Sequence, residues 1–208
     1  MKRWTPLTGV AFVILLVISF IVSGSTPDPD DSAQKVVSFY KDNDTKEIVS
    51  ALIGAYAALF FVFFAGVLRG TLRRAEPEPG TLSVITFGGA VLAAVGALIF
   101  AALSFTLGDL ADKLDPSAMQ ALNALSGDFF FPLSVGVSAF QIASGIATVR
   151  WGPLPKWLGW VGIVIGVVAV TPAGFFALLV SLAWVLVASI VLATRAEPVA
   201  VQPGPLTS

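Results

Sequence analysis

Trp157–Thr194, "WLGWVGIVIGVVAVTPAGFFALLVSLAWVLVASIVLAT", runs for 38 residues without a charge. Whether it is one helix or two decides the fold, because the number of crossings hangs on it. A single helix of that length would reach roughly 57 Å, against a hydrocarbon core of about 30 Å. Pro172 lacks an N–H and cannot continue an ideal helix, and Gly174 admits backbone angles that other residues avoid. "VTPAG" is therefore expected to be a tight turn between a short fifth span, Trp157–Thr171, and a sixth, Ala173–Thr194.

Four more apolar runs precede it: Pro6–Ser23, Ile48–Leu68, Leu82–Leu107 and Phe129–Val149. The chain is 56% hydrophobic and 12% charged. A soluble domain averages about 25% charged, so too little polar surface exists here to coat a globule. The expected fold is all-α, a polytopic transmembrane bundle of six spans over residues 1–194. The first run, with its Met-Lys-Arg start and "VSG" end, also has the layout of a secretory signal peptide. It is read here as a retained span.

The connectors test the count. With six spans, one side carries Lys2, Arg3, Arg69, Arg73, Arg74, Arg150, Lys156 and Arg195. The other carries only Lys35, Lys41, Lys46 and Lys113, among ten carboxylates. Basic residues gather on the cytoplasmic side of membrane proteins, so both termini are expected in the cytoplasm. Trp4, Trp151, Trp157 and Trp160 fall near the same boundary, as an aromatic belt would.

Two outer loops are long enough for structure. In 25–46, Ala33, Val36, Val37 and Tyr40 share one helical face, predicting an amphipathic helix on the bilayer or on the bundle. Asp44 and Glu47 have capping-box spacing for the second span. In 109–127, Asp115-Pro116 reads as a helix start, with Ala118, Leu122 and Leu125 on one face and Gly127 as the stop. Arg69–Gly80 reads as a solvated connector, and 195–208 as a disordered cytoplasmic tail.

Small residues at four-residue spacing predict close helix packing: Gly89, Ala93, Ala97 and Ala101; Gly162 and Gly166, with Gly159 a turn earlier; Ser50, Gly54 and Ala58. The fourth span adds a small, polar stripe, in which Gly127, Ser134, Ser138, Gln141, Gly145 and Thr148 share a narrow arc. One reading has these side chains hydrogen-bond to neighbouring helices. The other has Ser134, Ser138 and Gln141, with Asp128 at the span's start and Tyr56 on the second span, line a ligand cavity.

The chain has no cysteine and no histidine, which removes thiolate nucleophiles, imidazole bases and His-ligated haem. The outer aspartates Asp109, Asp112, Asp115 and Asp128 lack the spacing of a known calcium loop, so no metal or other cofactor is expected. No basic stripe suggests nucleic acid. The expected role is non-enzymatic: a bundle whose partners are the lipid bilayer and a membrane protein or lipid. The alternative is a transporter or channel subunit for a small neutral or lipophilic solute.

"VRWGPLPKWLGWVGIVIGVVAVTPAGFFALLVSLAWVLV", with "ALNALSGDFFFPLSVGV", resembles a family of uncharacterised bacterial integral membrane proteins of about six spans, catalogued as domains of unknown function. The shared features are the acidic, Phe-rich approach to the fourth span, the basic "LPKWLGW" connector and the Trp-bearing last span. The resemblance covers mainly Ala121–Leu192. It supports the topology only, and brings no activity or site residue with it; with the charge asymmetry, the expected location is the bacterial cytoplasmic membrane.

Overall fold

The computed structural model describes residues 5–128 and 130–195, apart from the Asp128 side chain. Lys2, Arg3 and Trp4, and the tail after Arg195, lie outside the described residues. A short 3-10 turn (Thr5–Leu7) leads into α1 (Thr8–Ser23). Then follow α2 (Ala33–Ala75), α3 (Thr81–Asp109), α4 (Pro116–Asp128), α5 (Phe130–Trp151), α6 (Lys156–Ala169) and α7 (Gly174–Arg195). Among the described residues there is no strand. Arg195, expected to open the tail, ends α7.

Five helices are long and apolar enough to cross a membrane: α1 with its preceding turn, α2, α3, α5 with α4 before it, and α7. The fifth expected span, α6, is the one not among them: it has 14 residues, or about 21 Å. The decisive run is a hairpin, as Pro172 requires. Thr171 N–H donates to the Val168 carbonyl and Gly174 N–H to that of Thr171, at 2.9 and 2.8 Å. Gly174 is not chosen for an unusual dihedral, since the positive-φ glycines are Gly24, Gly80 and Gly152. It is chosen for space: a Cβ there would lie 2.3 Å from the Ala169 carbonyl oxygen and 3.0 Å from the Phe130 ring. The second contact brings the α6–α7 turn level with the start of α5.

Six helices close a ring in which α1, α2, α3, α5, α6 and α7 each touch the next, and α7 returns to α1. Glycines set the spacing. A Cβ on Gly89 would lie 2.5 Å from the Phe140 nitrogen, and one on Gly136 2.3 Å from the Ala93 nitrogen. α1 is tied to both neighbours. Ser19 Oγ donates to the Ser50 carbonyl and Ser50 Oγ to that of Ser19, each at 2.9 Å. Ser189 Oγ donates to the Pro6 carbonyl.

The charges segregate. Arg195 reaches the Pro153 carbonyl at 3.4 Å, and the α2–α3 loop borders a surface recess shared with Arg150 and Trp151. This is the basic end. Trp157 and Trp160 are exposed beside it.

At the acidic end the segments 25–46 and 109–127 form a cap with its own small core, in which Val36, Tyr40, Leu107, Ala111 and Met119 are buried. The predicted amphipathic helix does not lie apart. It is the first part of α2, joined to the span through a bend at Asn43 (φ −127°, ψ 16°). Asn43 Nδ2 donates to the Phe39 carbonyl at 2.9 Å, competing with the backbone for it. Tyr40 Oη donates to Asn123 Oδ1 at 3.1 Å, and Asn123 Nδ2 to the Asp28 carbonyl at 3.1 Å. The buried face of α4 is therefore Met119 and Asn123, while Leu125, expected on one face with Ala118 and Leu122, is exposed. Asn123 turns inward because the Tyr40 hydroxyl, buried in the cap, needs a polar partner.

Two polar residues depart from expectation. Glu47 forms no capping box: its side chain is 1% exposed and accepts Ser23 Oγ at 2.7 Å. The Arg69–Gly80 connector is not fully solvated. Glu76 is 7% exposed, and its carboxylate accepts the N–H groups of Leu82 and Ser83 at 2.7 and 2.9 Å. It thus caps α3, whose first residue follows a glycine that has no side chain to do so.

Candidate polar site in the bundle

The polar stripe of α5 meets the glycine stripe of α6. A Cβ on Gly159 would lie 2.9 Å from the Gly145 carbonyl oxygen; one on Gly166, 2.9 Å from that of Ser138. A Cβ on Gly162 would lie 3.1 Å from Gln141 Oε1 and 3.2 Å from Trp184 Nε1. The two backbones therefore run too close for side chains to separate them.

Gln141 is wholly buried, and its Nε2 donates to Ser181 Oγ on α7 at 2.7 Å. Trp184, one turn further along α7, donates Nε1–H to the Leu158 carbonyl of α6 at 2.8 Å. These two bonds stitch α5 to α7 and α7 to α6. Ser134 Oγ donates to the Phe130 carbonyl at 2.7 Å and Ser144 Oγ to that of Gln141 at 3.2 Å. Both hydroxyls are spent on their own helix. Gln141 Oε1 and Thr148 Oγ1 are buried with no hydrogen-bond partner.

Beside the stripe, aromatic rings cross the interior. Phe12 meets Phe61 at 4.8 Å between centroids, Phe61 meets Phe140 at 5.3 Å, and Phe140 meets Trp184 at 5.8 Å. They come from α1, α2, α5 and α7, so the ring of helices is filled rather than hollow.

Of the expected site residues, Ser134, Ser138 and Gln141 share α5, with Ser134 and Gln141 buried and Ser138 half-buried. Tyr56 is not brought to them. It is 62% exposed on the outer surface of α2. The Asp128 side chain lies outside the described residues. The other outer aspartates do not converge: Asp112 pairs with Lys41 at 2.9 Å, and Asp109 lies 4.0 Å from Lys113. Among the described residues no three metal-ligating side chains gather.

Sequence reasoning missed Ser181 and Trp184. Their signal was present as spacing, since Ala177, Ser181, Trp184, Ala188 and Leu192 recur every three or four residues along one face of α7 and are all buried. Glu47 was read for its distance from Asp44 instead of for its face.

Comparison with protein-family models, with curated proteins and with solved structures finds no match for this chain.

Proposed function

We propose that this chain is a six-crossing integral membrane protein of the bacterial cytoplasmic membrane, with both termini in the cytoplasm. Its bundle acts without catalysis, as a binder of a partner protein or lipid. The placement of α6 supports six crossings. It starts at the basic end, and its turn returns to the level of Phe130, so hairpin and turn together match the length of α5. The separation of arginine-rich and aspartate-rich ends supports the orientation. Absent histidine and cysteine, and aspartates that pair with lysines, favour the non-catalytic reading.

The aromatic row Phe12–Phe61–Phe140–Trp184 carries the choice of binder over conduit. A solute path would have to displace this row, in which Phe61, Phe140 and Trp184 pack edge to face. In proteoliposomes, the purified chain is expected to leave the permeability to glycerol and other small neutral solutes at the level of protein-free vesicles. Specific, saturable flux would overturn this reading.

A conduit for a small neutral solute is the second reading. The orphaned Oε1 of Gln141 favours it, because a buried acceptor is a ready point for a solute's donor. Loss of such flux in folded Gln141→Leu protein would establish it.

A further inference from the structure

At the basic end, a furrow runs along the outside of the bundle between α2 and α3. It is lined by Thr5, Val62, Phe63, Gly66, Val67 and Phe87. Its depth comes from Gly66: a Cβ there would meet nothing nearer than the Phe87 ring edge, 4.0 Å away. Three residues on from Gly66, and so on the same side of α2, stands Arg69. Its guanidinium carbon lies 5.8 Å from the centroid of the Phe87 ring. Arg69 is exposed. The ion pairs found among the described residues join Lys35–Asp31, Lys41–Asp112, Arg73–Glu78 and Lys113–Asp109, and none includes Arg69.

We infer that this furrow holds one anionic phospholipid, with an acyl chain along Gly66 and Phe87 and the phosphate on Arg69. The inference rests on the membrane-binder reading above. An aliphatic chain is the occupant that suits an apolar furrow on the lipid side of a spanning helix. Beside the furrow, a cation with no carboxylate partner among the described residues calls for an anion. The Phe87 ring, 5.8 Å from the guanidinium carbon, draws the charge toward the furrow, where its N–H groups can make a two-pronged bond to phosphate oxygens. A neutral headgroup offers the same oxygens but carries a cation of its own, which Arg69 repels.

The full chain, purified in neutral detergent, is tested by native mass spectrometry with phosphatidylglycerol and phosphatidylcholine in equal amounts. The unaltered protein is expected to retain one phosphatidylglycerol in preference to phosphatidylcholine by about tenfold. Arg69→Gln should abolish the preference. Gly66→Leu, which fills the furrow from an open position, should lower retention of both lipids. Arg195→Gln removes a charge from the same end and should leave the preference intact.

The inference falls if Arg69→Gln keeps the preference, if Gly66→Leu retains both lipids as the unaltered protein does, or if Arg195→Gln erases the preference equally. A chain that needs detergent and takes both lipids without discrimination sinks this site alone. A chain monodisperse in plain buffer that takes neither lipid sinks the membrane reading as well.

Discussion

The Phe140 ring stands edge-on to Trp184, at 85° and 5.8 Å between centroids, while the indole N–H turns to the Leu158 carbonyl. The ring is wholly buried and the indole 2% exposed. An indole inside an apolar bundle needs an acceptor for its N–H, and the α6 backbone supplies one because Gly162, with no side chain, leaves room for the indole nitrogen. The pair thereby fixes three helices, α5, α6 and α7, against one another.

Phe140→Ala removes the middle of the aromatic row. The cost is expected at about 3–5 kcal/mol, the range for emptying a buried phenylalanine site. Reversible unfolding in mixed micelles measures it. If the row is also the seal, the same variant should raise the glycerol leak of proteoliposomes above that of the unaltered chain.

Gln141→Leu should cost little, within about 1 kcal/mol. The variant loses one interhelical bond to Ser181, and such bonds average roughly 0.6 kcal/mol in a membrane. It also removes a buried acceptor without a partner, which partly offsets the loss. A loss of several kcal/mol in the same unfolding assay would show that Oε1 has a bonding role the packing does not reveal.

Gly136→Ala tests the close contact of α3 and α5. Its Cβ would sit 2.3 Å from the Ala93 nitrogen and 2.7 Å from its Cα, both backbone atoms. Neither can rotate aside, so the helices must part. Destabilisation of about 1–3 kcal/mol or more is expected. Gly88→Ala, where a Cβ meets nothing within 4 Å, should be neutral or slightly stabilising.

Ser19→Ala and Ser50→Ala should be coupled. Each hydroxyl donates to the other residue's carbonyl, so removing one leaves the second bond in place but strips a contact between the hydroxyls, which lie 3.0 Å apart. A double-mutant cycle in micelles should give an interaction of about 0.6–1.7 kcal/mol. Strict additivity would mean that the two bonds act independently of each other.

Glu76 predicts a pH dependence at the basic end. Burial works to raise its pKa, but the N–H groups of Ser83 and Leu82 and the nearby Arg73 outweigh that and hold it below the usual 4.5. A folded-state pKa below the unfolded one means stability that is fully present above pH 4.5 and lost as pH falls through the lower, folded value. Glu76→Gln should flatten that acid limb of the stability profile, because the amide cannot titrate. Equal slopes for the two proteins would show that the cap contributes nothing.

Much of this architecture could be read residue by residue. Uncharged runs of span length, a proline that cannot sit inside a helix and arginines held apart from aspartates each state a local or solvent preference of the chain. So does the face of Val36 and Tyr40. None of these needs to know which helix lies beside which. The stripe of Ser134, Ser138 and Gln141 was visible for the same reason, as a periodicity.

What fills the centre could not be read that way. Gln141 finds Ser181 forty positions along the chain, and Glu47 finds Ser23 twenty-four positions back. Nothing near Glu47 in sequence distinguishes a capping carboxylate from a buried one. The difference is the rotation of α2 past the Asn43 bend, which follows from how α1 and the cap dock. Tyr56 and Gln141 look equally central along their spans, yet one faces outward and the other is sealed. Composition and periodicity act through each residue's own solvation, so the chain alone settles the helices, their apolar lengths and the charged ends. Partners depend on the relative rotation of helices, an energy shared across whole interfaces, and only the assembled bundle decides them.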